Sequence, residues 1–145
     1  MKLNIFTDGG ARGNPGPAAA AYVILNDQGE FLEKCGKYLG KSTNNIAEYQ
    51  AVILALGYLL KSGLAAKYKT IHFHSDSLLA VSQINGRWKI KDRNLRELSA
   101  KVNFMLAELA NNFVPLSIKF LHIPRSKNYL ADKLVNETLD QISLV

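Results

Sequence analysis

The chain has 145 residues, 48% of them hydrophobic and 21% charged, with a formal net charge of +6. That size and balance fit one globular domain, residues 1–145, large enough to bury a core, and the positive excess favours a polyanionic partner. A lone cysteine, Cys35, excludes an intramolecular disulfide framework and a thiolate metal cluster, and the longest apolar stretch, Ala51 to Leu60, is too short to span a bilayer.

Met1-Lys2 runs directly into a strand pattern, so the expectation is a free-standing cytoplasmic protein with no signal peptide. Lys2–Asp8 reads as the first strand, with Leu3, Ile5 and Phe6 apolar, and a glycine-rich loop from Gly9 to Pro17 follows. Ala18–Leu25 and Phe31–Leu39 read as two more strands, joined by the turn Asn26-Asp27-Gln28-Gly29. A helix begins at Ser42/Thr43 and stops at Gly63. Tyr68–Ser75 reads as a fourth strand and Ser77–Asn85 as a short helix behind it. Over Asn94–Asn111, Leu95, Leu98, Val102, Met105, Leu106 and Leu109 follow the helical period. Leu116–Ile123 is the fifth strand and Tyr129–Ile142 the closing helix.

This order predicts an α/β fold: a five-stranded mixed sheet, three strands antiparallel and then two parallel, flanked by helices on both faces. Ligands of such sheets bind at the carboxyl ends of the parallel strands, where Asp8 and Asp76 are expected.

Four acids stand in awkward places. Asp8 follows an apolar strand, Glu48 is the only charged residue between Lys41 and Lys61, Asp76 ends the fourth strand pattern, and Asp132 lies in the first turns of the last helix. Each has a bland explanation. Asp8-Gly9 could be a turn, Glu48 could close a capping box with Asn45, Asp76 could cap the next helix, and Asp132 could answer its helix dipole. Together they predict something else. The topology brings all four toward one edge, where uncompensated carboxylates would repel. Hard divalent cations with oxygen ligands, Mg2+ first and Mn2+ as a substitute, resolve that repulsion and point to an enzyme acting on phosphate esters.

The motifs Thr7-Asp8-Gly9-Gly10 with Gly13-Asn14-Pro15-Gly16-Pro17, Thr43-Asn44-Asn45-Ile46-Ala47-Glu48, Ser75-Asp76-Ser77 and Asn128-Tyr129-Leu130-Ala131-Asp132 together resemble ribonuclease H of type 1, in order and across essentially the whole chain. The resemblance implies the ribonuclease H-like fold and endonucleolytic hydrolysis of the RNA strand of RNA–DNA hybrids, leaving 5′-phosphate and 3′-hydroxyl ends. It implies two metal ions, with Asp8 and Asp76 touching both or lying between them and Glu48 and Asp132 holding one each. It also implies substrate contacts. Gly9, Gly13 and Asn14 would meet the RNA sugars, Lys41 and Thr43 a DNA-strand phosphate, and Asn44 the minor-groove edges. Trp88, in Gly86-Arg87-Trp88-Lys89-Ile90-Lys91, would pack on a deoxyribose if exposed; the rival reading is a core tryptophan.

Two departures narrow the resemblance to the short archaeal and minor bacterial branch. Only Gly86 to Asn94 is available where many members carry a large basic protrusion. The segment His122-Ile123-Pro124-Arg125-Ser126-Lys127 replaces a longer histidine-bearing loop, leaving Arg125 as the polar group expected near the scissile phosphate. His72 and His74 share a strand side with Asp76, but lie about 13 and 7 Å back along it and are expected to be core or hydrogen-bonded rather than ligands. Double-stranded RNA is a further expected substrate, and the protein is expected to be a monomer. The alternatives are a non-catalytic hybrid-binding module, against which the intact acids argue, and the ribonuclease H domain of a reverse transcriptase.

Overall fold

The computed structural model describes residues 1–143. Three antiparallel strands, β1 (Lys2–Ala11), β2 (Gly16–Leu25) and β3 (Phe31–Ser42), are joined by β4 (Thr70–Ser75), parallel to β1, and β5 (Ser117–His122), parallel to β4. The sheet order is β3-β2-β1-β4-β5. Strand alternation sorts side chains between two layers. Leu3, Ile5, Tyr22, Ile24, Ile71 and Phe73 point into the main core, and Ala19 and Ala21 point the other way.

Helix α1 (Asn44–Ser62) is buried along most of its length, with Ala47, Tyr49, Ala51, Val52, Ala55, Leu56 and Leu59 closed off from solvent. A helix apolar on nearly every side belongs inside a fold. It lies between the sheet and α4 (Arg93–Asn112), which presents only a stripe, Leu95, Ser99, Val102 and Leu109. The Thr43 hydroxyl caps α1 by accepting from Ile46 N–H at 3.2 Å, and the helix ends at Gly63, whose φ of 72° suits a residue without a side chain. On the opposite face, Val135 and Leu139 of α5 (Tyr129–Ser143) pack on Ala19 and Ala21. Helices thus cover both faces. Among the described residues no helix is long and apolar enough to cross a membrane.

The structure departs from the sequence expectation at several element ends. Gly9, Gly10 and Ala11 are not loop but continue β1, pairing with Ala20, Ala19 and Ala18, so the turn shrinks to Arg12–Pro15. The expected fourth strand starts at Thr70, because Tyr68 caps a short helix, α2 (Leu64–Lys67). A 3-10 turn, Arg125–Lys127, interrupts the segment before α5. The turn after β2 is as read: Asn26 Oδ1 accepts from Gln28 and Glu30 N–H, an Asx turn.

Candidate active site

The parallel register of β1 and β4 ends at Thr7↔Ser75, so Asp8 and Asp76 lie side by side one step further on. Asp8 is nearly buried, at 7% exposure. Glu48 reaches the same spot from α1, where its Oε1 accepts the Gly9 N–H at 2.8 Å. Neither Glu48 nor Asp76 serves as a cap. Thr43 caps α1, Ser77 caps α3 (Leu78–Ile84) by accepting from Ala80 N–H, and Ser75 Oγ takes the Ser77 N–H. The bland explanations for these two acids therefore fail.

One carboxylate oxygen from each of Asp8, Glu48 and Asp76 lies within 4.8 Å of the others. Asp132, in the first turn of α5, lines the same open cleft of about 420 Å³ but stands outside that trio. Its Oδ1 is 3.8 Å from Arg125 Nη2. The Arg125 side chain is 83% exposed, so its charge is well solvated.

Burial, then the charges of Asp76 and Asp132, push the Asp8 carboxyl up to about 7. Burial, then Asp8 and Asp76, drive Glu48 well above the ordinary carboxylate range. Burial also raises Asp76, against the opposing effect of the Asn128 amide and Arg125. The trio cannot be fully ionised near neutrality without an added positive charge. Its donors are all hard oxygens, which suit a magnesium-like cation.

A linkage prediction arises from these shifts. The folded pKa values exceed the unfolded ones, so the stability these groups contribute is complete below about pH 4 and is lost as pH rises through the folded values, about 7 for Asp8. In EDTA, the melting temperature of the protein relative to an Asp8→Asn variant is expected to fall across that window. Added Mg2+ should raise it more at pH 8 than at pH 5. Calorimetric melts at the two pH values, with and without metal, check this; an equal gain at both would refute it.

The neighbouring positions are tied to one another. Asn14 Oδ1 accepts from Asn44 N–H at 3.0 Å, and Asn44 Oδ1 accepts from Ala11 N–H at 2.9 Å. With both oxygens engaged, each exposed side chain has its amide NH2 left to offer a ligand. Gly9 and Asn44 line the cleft, whereas Gly13, Asn14, Lys41, Thr43 and Trp88 lie outside its walls. Trp88 is 47% exposed, which overturns the core alternative. Its turn is held by Arg87 and Trp88 N–H donating to Ser82 O.

His74 lies on the face predicted for it, with Nε2 3.0 Å from Asn4 Oδ1 and its ring stacked on Phe6. Burial holds it down to about 4. His122 ends β5 and is exposed. Two residues went unread in the sequence. Arg12 reaches Asp140 at 2.6 Å and ties the β1–β2 turn to α5, an exposed pair worth under about 1 kcal/mol. Asn128, completely buried, donates to Thr7 O at 2.9 Å. It belongs to a motif read for Asp132, and nothing in sequence marks an asparagine ahead of a helix as a core residue.

Residues 6–138 match the family described as Reverse transcriptase-like. The chain is 37% identical to the Ribonuclease HI of Halobacterium salinarum over 96% of its own length, and 32% identical to the Ribonuclease H of Clostridium botulinum over 99% of both chains. The chain belongs to the ribonuclease H type 1 family. The family's fold is present throughout: the structure of LC11-RNase H1 in complex with RNA/DNA hybrid matches with a TM-score of 0.84 and 42% identity, covering 97% of this chain and 98% of that one. The chain spans 65% of the length of the halobacterial protein and 36% of mycobacterial relatives that match it at 34% identity.

Proposed function

We propose that this ribonuclease H family member is an endoribonuclease that hydrolyses the RNA strand of RNA–DNA hybrids, leaving 5′-phosphate and 3′-hydroxyl ends, with Asp8, Glu48, Asp76 and Asp132 as its catalytic acids. The observation that carries this is the convergence of three carboxylates within 4.8 Å at the ends of two parallel strands, in a cleft that Asp132 also lines. Asp8 and Asp76 would touch both of two divalent cations or lie between them, with Glu48 completing one site, where the three acids already converge, and Asp132 the other. Magnesium fits the donor set best and manganese is the expected substitute. When bound, such ions activate a water and stabilise the leaving 3′-oxygen.

The chain's own residues bind and orient the substrate. Arg125, an exposed guanidinium at the cleft, meets a phosphate oxygen near the scissile bond. Asn14 and Asn44 offer NH2 donors to RNA sugars and base edges in the minor groove, beside the backbone of Gly9 and Gly13. Lys41 and Thr43 grip a phosphate of the DNA strand, and Trp88 packs on a deoxyribose. Contacts of this kind position the duplex without reading its sequence, so binding is sequence-tolerant and salt-sensitive. Double-stranded RNA is a secondary substrate. Residues 1–145 act as one catalytic domain, monomeric and cytoplasmic.

The test follows cleavage of a hybrid labelled on each strand, with Mg2+, with EDTA, and with an Asp76→Asn variant. Metal-dependent cutting confined to the RNA strand and lost in the variant is the expected result. Tight hybrid binding with no cutting in either Mg2+ or Mn2+ would favour a binding module instead.

A further inference from the structure

Asn128 is a polar side chain with 0% exposure, set among the elements that carry the acids. Its Nδ2 donates to the carbonyl of Thr7, the residue before Asp8, at 2.9 Å. The same amide also works against the effect of burial on the Asp76 carboxyl. Its own carbonyl accepts from Asp132 N–H at 3.1 Å, within the first turn of α5. Its N–H donates to Arg125 O at 3.0 Å, closing the 3-10 turn. One residue therefore bonds to the segments of Asp8, Asp132 and Arg125.

The remaining atom, Oδ1, is buried without a partner. Buried acceptors left unsatisfied are costly, so an apolar side chain would serve better if the site needed only filling. The amide orientation is fixed by its neighbour, since a flipped amide would set Oδ1 against the Thr7 carbonyl. The Nδ2 donor is what this position supplies.

We propose that Asn128 is a positioning residue, whose amide ties the start of α5 to the β1 backbone at Thr7 and so holds Asp132 and Asp8 ready for a divalent cation. This rests on the metal-centre reading above. It assigns Asn128 no contact with substrate or metal. Partners that orient metal ligands from behind commonly change metal affinity or activity by about 10- to 100-fold when removed.

The experiment titrates MnCl2 calorimetrically into the full chain and into Asn128→Ala and Asn128→Ser variants, alongside metal-free melts and the kcat and KM for hybrid cleavage. Mn2+ affinity and kcat are expected to fall at least about 10-fold with KM for the hybrid unchanged. A lower melting temperature with Mn2+ affinity and kcat within about twofold of the parent would mean that Asn128 only holds α5 in place, which overturns the proposal. Should both variants fail to fold, NMR on the parent chain decides. The Asn128 side-chain NH2 protons are expected to be protected from exchange and to shift when Mg2+ binds; free exchange, or no shift, overturns it. A parent chain that binds no Mn2+ refutes the metal-centre reading itself, and this inference with it.

Discussion

Replacing Asp8 by asparagine is expected to reduce hybrid cleavage by at least about 1,000-fold while raising the melting temperature of the metal-free protein at pH 8. The two effects share one cause. Asp8 is nearly buried and faces Asp76 and Asp132, and its carboxyl is pushed to about 7. At pH 8 it is therefore ionised against its surroundings, at a cost on the order of a few kcal/mol. Asparagine has nearly the same shape, cannot ionise, and can donate its NH2 to the adjacent carboxylates. Several degrees of added stability are expected, and in excess Mg2+ the difference should shrink or reverse, because the parent gains a ligand that the variant holds poorly. Calorimetric melts in EDTA and in Mg2+, with a single-turnover cleavage assay, check both halves. A variant that cuts well, or one that melts lower than the parent in EDTA at pH 8, would show that Asp8 is not part of a repelling metal-binding cluster. Stability given up at the site for the sake of function is the general pattern.

Much of this architecture can be read from residue order, because local chemistry and tertiary demand agree. Thr43 and Gly63 bound α1 where their side-chain chemistry says a helix should begin and end. The apolar period over α4 matches its buried stripe. The acid centre was legible for a different reason: Glu48 contradicts its surroundings, and a charge placed at a cost in an apolar helix needs a tertiary explanation. What escaped was contact between elements distant in sequence. Glycine and alanine after Asp8 look like loop residues, yet Gly9 to Ala11 continue the ladder with Ala20 to Ala18, because small residues let α1 sit directly on the strand. Asn128 looks like a surface asparagine ahead of a helix, and only the crossing of α5 over β1 buries it. The exposure of Trp88 likewise depended on where α3 ends and on the Ser82 carbonyl that holds its turn.

The approach of α1 to β1 makes a single methyl group at Gly9 costly to stability. A Cβ built on Gly9 would collide with the Ala47 carbonyl group and lie 2.5 Å from Glu48 N. These are backbone atoms in the first turns of a buried helix, which cannot swing aside as a flexible side chain can. Gly9→Ala must lift α1 from the strand, and it would stretch the Gly9 N–H bond to Glu48 Oε1. Overpacking of a well-filled core commonly costs about 1–3 kcal/mol and occasionally more; with the hydrogen bond weakened, about 3 kcal/mol or more is expected here, a drop on the order of 10 °C in melting temperature. The neighbouring glycine provides the control. A Cβ on Gly10 would meet only Val135 Cγ1 at 3.8 Å and Asn44 Oδ1 at 3.9 Å, ordinary contacts, so Gly10→Ala should change stability by less than about 1 kcal/mol. Because Glu48 is carried by the displaced helix, Gly9→Ala should also weaken Mn2+ binding in whatever fraction remains folded, whereas Gly10→Ala should leave it intact. Thermal melts and Mn2+ titrations of the two variants separate these outcomes. Equal tolerance of both substitutions would mean that α1 is free to move away from β1, and that the acids are not held together by the close packing of helix on strand.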